Sequence, residues 1–225
     1  MNPDQLDPVN RMPHLQAVRK ESMRVGYLSL DAGGRTGADN PMTKQKVRQA
    51  IWHAIDRKAI ADKLVTGGSR VPAAPCFPSQ FGCDAEIAVP YDYDPAKAKQ
   101  LLAEAGYPDG FDVELASYVL PQWGSAVQNY LHAVGIRAKL NQLQTAALIQ
   151  RAKAGELRMY LGSWGSYSIN DVSAIMPNFF DGGADDYARD PDVQKSLLQG
   201  GSTINPEIRK EAYSAAIKKI TEQAY

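Results

Sequence analysis

The side chains best equipped for chemistry sit together in Gly162-Ser-Trp-Gly-Ser-Tyr-Ser-Ile-Asn-Asp171. Trp164 and Tyr167 offer rings for stacking, Ser163 and Ser166 offer neutral hydroxyls, and Asn170 an amide that donates and accepts. With Gly165 and Asp171 they form the candidate ligand-binding set, suited to a polar organic molecule held by stacking and neutral hydrogen bonds. Cleavage chemistry is poorly provided for. Asp171 is the single acid of this loop, whereas paired-carboxylate catalysis needs two acids in one cleft. His14, His53 and His132 lie in a tail and on two helices, so no nucleophile gains a base. Gly-x-Ser-x-Gly, a phosphate-cradling glycine loop and His-Glu-x-x-His are all absent from the sequence. The competing reading is a connecting loop whose Trp164 and Tyr167 pack on the core, with Asp171 capping a short helix over residues 172–180.

The elements that must position this loop follow from periodicity. Leu157, Met159 and Leu161 alternate with Arg158 and Tyr160 as a strand, which Gly162 is expected to end. Upstream, Phe111, Val113 and Leu115 alternate, Val127, Tyr130, Leu131 and Val134 form a helical stripe, and Ile136, Ala138 and Leu140 alternate again. A helix from Thr145 through Ala154 then leads into the Leu157 strand. Strand–helix–strand–helix–strand favours a parallel sheet with right-handed crossovers. The Gly162–Asn170 loop then leaves the carboxyl end of its strand, where open α/β sheets bind ligands. The expected class is α/β, a central, mostly parallel sheet flanked by helices.

The remaining chain supplies further elements. Residues 1–22, broken by Pro3, Pro8 and Pro13, read as a lead-in, and 23–225 as the folded unit. A strand is expected over 23–30, and a helix over 43–55 with Val47, Ile51, Ala54 and Ile55 inward and Arg48 outward. Asp56 should cap a second short helix that Gly67-Gly68 stops. Asp94-Pro95, Asp190-Pro191 and Asn205-Pro206 each open a helix, the last running to Tyr225. His53 reads as a satisfied or exposed histidine. The loop from Asp181 to Asp186 lacks the spacing of a calcium loop and reads as solvated.

Bulk properties narrow the partners. The 25 basic and 25 acidic residues cancel, so no net field recruits nucleic acid or an anionic membrane. No apolar run reaches the length of a membrane span, and the first residues lack the pattern of a signal peptide. Cys76 and Cys83, in a short loop with two prolines and a glycine, suit a local disulfide and an oxidising compartment, with two free thiols as the alternative. No metal or cofactor is expected.

In order along the chain, several pieces resemble one family. They are Val47-Arg-Gln-Ala-Ile51 with Ala54-Ile-Asp-Arg-Lys-Ala-Ile60, then Tyr91-Asp-Tyr-Asp-Pro-Ala-Lys-Ala-Lys99 with Leu101-Leu-Ala-Glu-Ala-Gly-Tyr107. Ala133-Val-Gly-Ile136 and the Gly162–Trp164 turn complete the series. Together they resemble the C-terminal half of the family 5 extracellular solute-binding proteins, the peptide, nickel and related receptors of ABC importers. The resemblance implies the second lobe of a type II periplasmic-binding-protein-like fold, residues 1–22 being the remnant of a first lobe. It implies relatives about twice this length, so the chain is expected to be a fragment presenting half a cleft, monomeric when intact.

It also implies an exported, periplasmic protein that hands a small, peptide-like or related solute to a membrane permease without chemistry. In peptide-binding relatives an aspartate three residues after the Trp holds the ligand's amine. Here that position is Tyr167, which points to a different polar organic ligand. Two alternatives stand beside this reading: a hydrolytic domain using Asp171 or the 181–186 acids, and a sensory or protein-interaction domain using the open lobe face.

Overall fold

The computed structural model describes residues 5–18, 22–65, 67–167 and 169–225. Parts of the expected lead-in, residues 1–4 and 19–21, lie outside the described residues, as does Ser168 of the candidate loop. The described part of the lead-in contains one short helix, α1 (Leu6–Asn10), with no buried residue.

Strand β1 (Arg24–Leu30) enters the sheet, and the turn after it is built on one carboxylate. Asp31, fully buried, accepts from the Arg35 and Thr36 N–H groups, the Thr36 hydroxyl and the Asn40 amide at 2.7–2.9 Å. Helix α2 (Gln45–Ala54) buries Val47, Ala50, Ile51 and Ala54 along one stripe. Arg48, expected outward, is buried instead. Its guanidinium donates to the Met42, Thr43 and Gln223 carbonyls at 2.8–3.1 Å, tying α2 to the end of the chain. A buried cation is tolerated where every donor finds an acceptor.

Asp56 caps α3 (Arg57–Ile60) by accepting from the Ala59 N–H at 2.8 Å, and one π turn, Ala61–Val65, continues it. Asp94 caps α4 (Pro95–Glu104) on the Lys97 N–H at 2.9 Å. His53 is satisfied, its Nδ1 donating to the Asp92 carbonyl at 2.7 Å.

From Phe111 the expected alternation appears as β2 (Phe111–Ser117), α5 (Pro121–Ala133), β3 (Ile136–Gln142), α6 (Thr145–Ala154) and β4 (Met159–Gly165). The sheet order is β1-β4-β2-β3, with β2 parallel to both β3 and β4 and β1 antiparallel to β4 at one edge. The chain steps from β2 to β3 in one direction and from β3 past β2 to β4 in the other. Right-handed crossovers of opposite direction put their helices on opposite faces. Accordingly α5 packs with α2 and α4 on the face made by Leu28, Val113, Leu115, Ile136 and Met159. On the other face α6 packs Leu148 and Ala152 against Ala116 and Tyr160. Each fully buried aliphatic side chain here contributes about 1.5–3 kcal/mol.

That second face is polar toward β3, where the Arg151 guanidinium forks onto both Glu114 oxygens at 2.9 and 3.0 Å. Gly110 and Gly135, which precede β2 and β3, lie so close that a Cβ on Gly110 would stand 1.8 Å from the Gly135 oxygen. Only glycine allows the two strands to start side by side.

After β4 a 3-10 turn, Val172–Ala174, leads to α7 (Met176–Phe180), α8 (Pro191–Gly201) and α9 (Pro206–Glu222). Helices α8 and α9 form a hairpin around Tyr213, whose ring fills the space that Cβ atoms on Gly82 and Gly200 would occupy, each 2.6 Å away. Ile217, Met176 and Val193 complete this core together with Cys76, which is bonded to Cys83. The acidic loop expected to be solvated is partly a buried device. The Asp186 carboxylate accepts from the Gly182, Ala188 and Arg189 N–H groups at 2.8 Å and fastens the turn into α8.

Candidate functional site

Strand β4 runs further than its sequence suggests. Gly162, expected to stop it, pairs with Tyr27, and the ladder continues through Trp164 to Gly165 opposite Arg24. Glycine is there for room. A Cβ at 162 would lie 2.9 Å from Tyr27 Cζ and Oη and 3.3 Å from Tyr118 Cε1. Two phenol rings occupy the space of a side chain, so this strand glycine marks a close approach and not an end.

Beyond this point β2 and β4 part. Their ladder holds only Ala116 with Tyr160 and Ser117 with Leu161. Tyr118, the first residue after β2, bridges the gap. Its hydroxyl donates to the Ser163 carbonyl at 2.5 Å and accepts from the Ser163 N–H at 2.8 Å. Because the chain crosses to β3 on one side of β2 and to β4 on the other, this gap is the topological switch point of the sheet. A cavity of about 280 Å³ opens there.

Its walls are the rings of Tyr27, Tyr118, Tyr160, Trp164, Tyr167 and Phe179. Edge-to-face contacts link Tyr167 to Trp164 at 5.5 Å, Trp164 to Phe179 at 5.6 Å, Phe179 to Tyr27 at 4.9 Å and Tyr27 to Tyr160 at 6.0 Å. Burial, above all, pushes the Tyr27 and Tyr160 phenols up, and the Tyr160 and Tyr118 phenols add to the effect at Tyr27. These tyrosines are therefore neutral hydrogen-bonding groups at physiological pH, not bases.

The polar lining comes from Lys153, Asn178 and Asp185. Trp164 Nε1 and Asn178 Nδ2 are buried donors without a hydrogen-bond partner among the described residues.

The rest of the candidate loop is held by the chain itself. Ser163 Oγ accepts from Arg24 at 3.1 Å, and Gly165 packs beside the same guanidinium. Ser166, 1% exposed, accepts from Gln80 Nε2 at 3.1 Å, and that amide also donates to the Ile169 carbonyl at 3.0 Å. The Phe81 N–H donates to the Asn170 carbonyl and the Val172 N–H to the Phe81 carbonyl, both at 3.1 Å. The disulfide loop thus forms a short parallel bridge with the residues after β4.

Asp171 accepts from the Ser173 N–H and from Arg209 Nη2, each at 2.9 Å, so it caps the following turn and pairs with α9. Tyr167 stands at the mouth, 77% exposed and at φ +50°, and Asn170 is exposed. Of the residues chosen from sequence, the structure places Trp164 and Tyr167 on the cavity. It engages Ser163, Ser166 and Asp171 in contacts within the chain.

Sequence reasoning did not select Tyr27, Tyr118, Asn178, Phe179 or Lys153, and it named Asp185 only among the 181–186 acids of the hydrolytic alternative. Tyr118 was within reach, since it lies three residues beyond the Phe111–Leu115 alternation, at the carboxyl end of a parallel strand. The others arrive by packing between segments far apart in sequence.

A second, larger cavity of about 520 Å³ runs along the outer edge of β1, lined by Arg24 to Leu30, Trp52, Arg57 and Trp123, and it is mostly apolar. Tyr27, Phe179 and Asp185 border both cavities. The larger cavity also holds rings and charges, so the preference for the smaller one rests on its place at the carboxyl ends of β2 and β4, at the switch point of the sheet.

The profile of the bacterial extracellular solute-binding proteins, family 5 Middle, matches residues 1–186. A glutathione-binding protein of Salmonella choleraesuis is 31% identical over 74% of this chain and 33% of its own. Heme-binding protein A of Haemophilus influenzae is 29% identical over 68% of this chain and 28% of its own. The chain therefore spans about a third of the length of these relatives.

Among solved structures, the periplasmic binding protein DppA from Helicobacter pylori, in complex with peptide STSA, superposes with a TM-score of 0.88 at 23% identity. The overlay covers 99% of this chain and 44% of DppA. The binding protein AgaA, in complex with agropinic acid, from A.tumefacien R10, gives 0.84 at 25% identity over 99% and 46%. The fold is thus that of these binding proteins, and the profile match over most of the sequence places the chain in the bacterial extracellular solute-binding proteins of family 5.

Proposed function

We propose that this chain forms the solute-facing part of one lobe of an importer receptor, and that the switch-point cavity takes a small polar, peptide-like organic solute without altering it. The observation that carries this is the opening between β2 and β4 at the switch point of the sheet, walled by the rings of Tyr118, just after β2, and of Tyr160 and Trp164 on β4. The relatives include a glutathione-binding protein and a protein crystallised with a peptide, which supports a peptide-like class. The same kinship supports delivery to an ABC permease from the periplasm, and the Cys76–Cys83 bond suits an oxidising compartment. Residues 1–22 are read as the connection to a first lobe and 23–225 as the second. Asp171, the acid a hydrolytic reading would use, is committed to Ser173 and Arg209, so binding without turnover suits the geometry better.

The test is a titration of the isotopically labelled chain with glutathione and with the peptide Ser-Thr-Ser-Ala, following the indole N–H resonances of Trp52, Trp123 and Trp164. Saturable movement of the Trp164 signal with at least one of these, lost or weakened in Tyr118→Ala, is expected. Movement confined to Trp52 and Trp123, or none at all, rejects this site.

A further inference from the structure

We propose that, with the switch-point cavity read as the solute site above, Gln80 is its positioning residue, and that the Cys76–Cys83 bond sustains solute affinity by holding the loop that carries Gln80. Gln80 does not line the cavity. It is 3% exposed and stands inside the disulfide loop. A buried amide needs a partner at each end, and Gln80 divides its two ends between two segments. Its Oε1 faces its own loop and accepts from the Phe77 N–H at 2.9 Å. Its Nε2 faces the residues after β4 and donates to Ser166 Oγ and to the Ile169 and Asp171 carbonyls, at 3.1, 3.0 and 3.3 Å. One amide group thus gathers three points of the candidate loop. A glutamate would accept from Phe77 but bring no proton to the two carbonyls, and a methionine of similar length would serve neither side.

What Gln80 fixes is Tyr167. The Ile169 N–H donates to the Ser166 carbonyl at 2.9 Å and closes a turn that carries Tyr167, at φ +50°. A non-glycine residue stays in the left-handed region where its surroundings hold it there. Tyr167 is 77% exposed, edge-on to Trp164 at the cavity mouth, so its own packing supplies little of that hold. Ser166 and Ile169, the two ends of the turn, are both bonded to Gln80. Tyr167 therefore meets a solute already ordered, and binding is spared the entropy of ordering it. The disulfide limits how far Gln80 can move. Cys76 is fully buried in the core formed with α8 and α9, and Cys83 is tied to it seven residues on.

The test titrates the parent chain and its variants with whichever of glutathione and Ser-Thr-Ser-Ala moves the Trp164 indole resonance of the parent. Gln80→Met should weaken binding about tenfold, the size of ordering one further residue on binding. Tyr167→Ala should also weaken it, and adding Gln80→Met to Tyr167→Ala should weaken it no further, because without the ring the turn need not be ordered for the solute. Ile136→Val, in the core shared by α2, α4 and α5, should lower the melting midpoint and leave affinity unchanged, which separates positioning from a general loss of stability.

Cys76→Ala with Cys83→Ala keeps the amide but frees its loop. It should lose affinity to a similar extent, again with no added loss beside Tyr167→Ala, and it decides the matter if Gln80→Met does not fold. Parent affinity in Gln80→Met or in the disulfide-free variant, or losses that add in full to that of Tyr167→Ala, overturn the positioning role and leave the solute site standing. A parent chain whose Trp164 responds to neither probe rejects the site, and this role with it.

Discussion

Replacing Tyr118 by phenylalanine removes one oxygen atom and tests how the sheet is held open at its switch point. In an antiparallel pair, alternate residues turn their peptide groups toward one neighbour or the other. Both peptide groups of Ser163 point away from β1, toward the side where β2 has ended, and both meet the Tyr118 hydroxyl, at 2.5 and 2.8 Å. That hydroxyl stands in for a missing strand. The variant keeps the ring against Gly162 but leaves one N–H and one carbonyl in half-buried surroundings without a partner.

An unsatisfied buried group costs about 1–3 kcal/mol, and partial exposure puts each here near the lower end, so about 2 kcal/mol for the pair. For a chain of this size each kcal/mol shifts the midpoint by about 2–4 °C, giving a fall of about 4–8 °C. Calorimetric or dichroic melting measures it, with Tyr93→Phe, at a residue 46% exposed, as the control. Amide exchange provides the local readout, since the Ser163 N–H should lose protection while the amides of β2 and β3 keep theirs. A midpoint within about 1 °C of the parent, well under the smallest shift expected, together with an unchanged Ser163 exchange rate, would refute the bridging role.

Removing the disulfide by Cys76→Ala with Cys83→Ala opens a loop of sequence separation 7. Loop-closure entropy for that length is worth about 2.4 kcal/mol, so a loss of about 5–10 °C in melting midpoint is expected. The parent treated with reductant should fall to the same value, and faster exchange at Phe81 and Val172 should show that the candidate loop has lost its splint. Acid should act through Glu114, whose carboxyl the Arg151 guanidinium holds below the usual carboxylate range. A depressed folded pKa contributes stability above the unfolded value, near 4.3, and that contribution is lost as pH falls through the lower folded value. Glu114→Gln should therefore flatten the stability profile below about pH 5. A variant with the parent's acid slope would remove Glu114 from the account.

Much of this protein was legible as a one-dimensional pattern. The alternations at Phe111–Leu115 and Ile136–Leu140, the helices between them, and the caps at Asp56, Asp94 and Asp190 depend on residues a few positions apart. Local geometry suffices to read them. The strand–helix–strand order also located the carboxyl end of β4, because strands joined through helical crossovers run parallel.

Tertiary structure alone decided what that end is used for. Gly162 looks like a stop until the Tyr27 and Tyr118 rings are seen in the space of its missing side chain. Arg48 reads as a surface cation until the end of the chain returns to accept its protons. Ser166 and Asp171 look available until Gln80 and Arg209, from distant segments, claim them, while Phe179 and Asp185 reach the cavity from beyond the loop. The division has one physical reason. Periodicity records which face of an element is buried, but the partner that meets a polar group is chosen by how the elements pack, and that choice leaves no trace in the neighbouring residues.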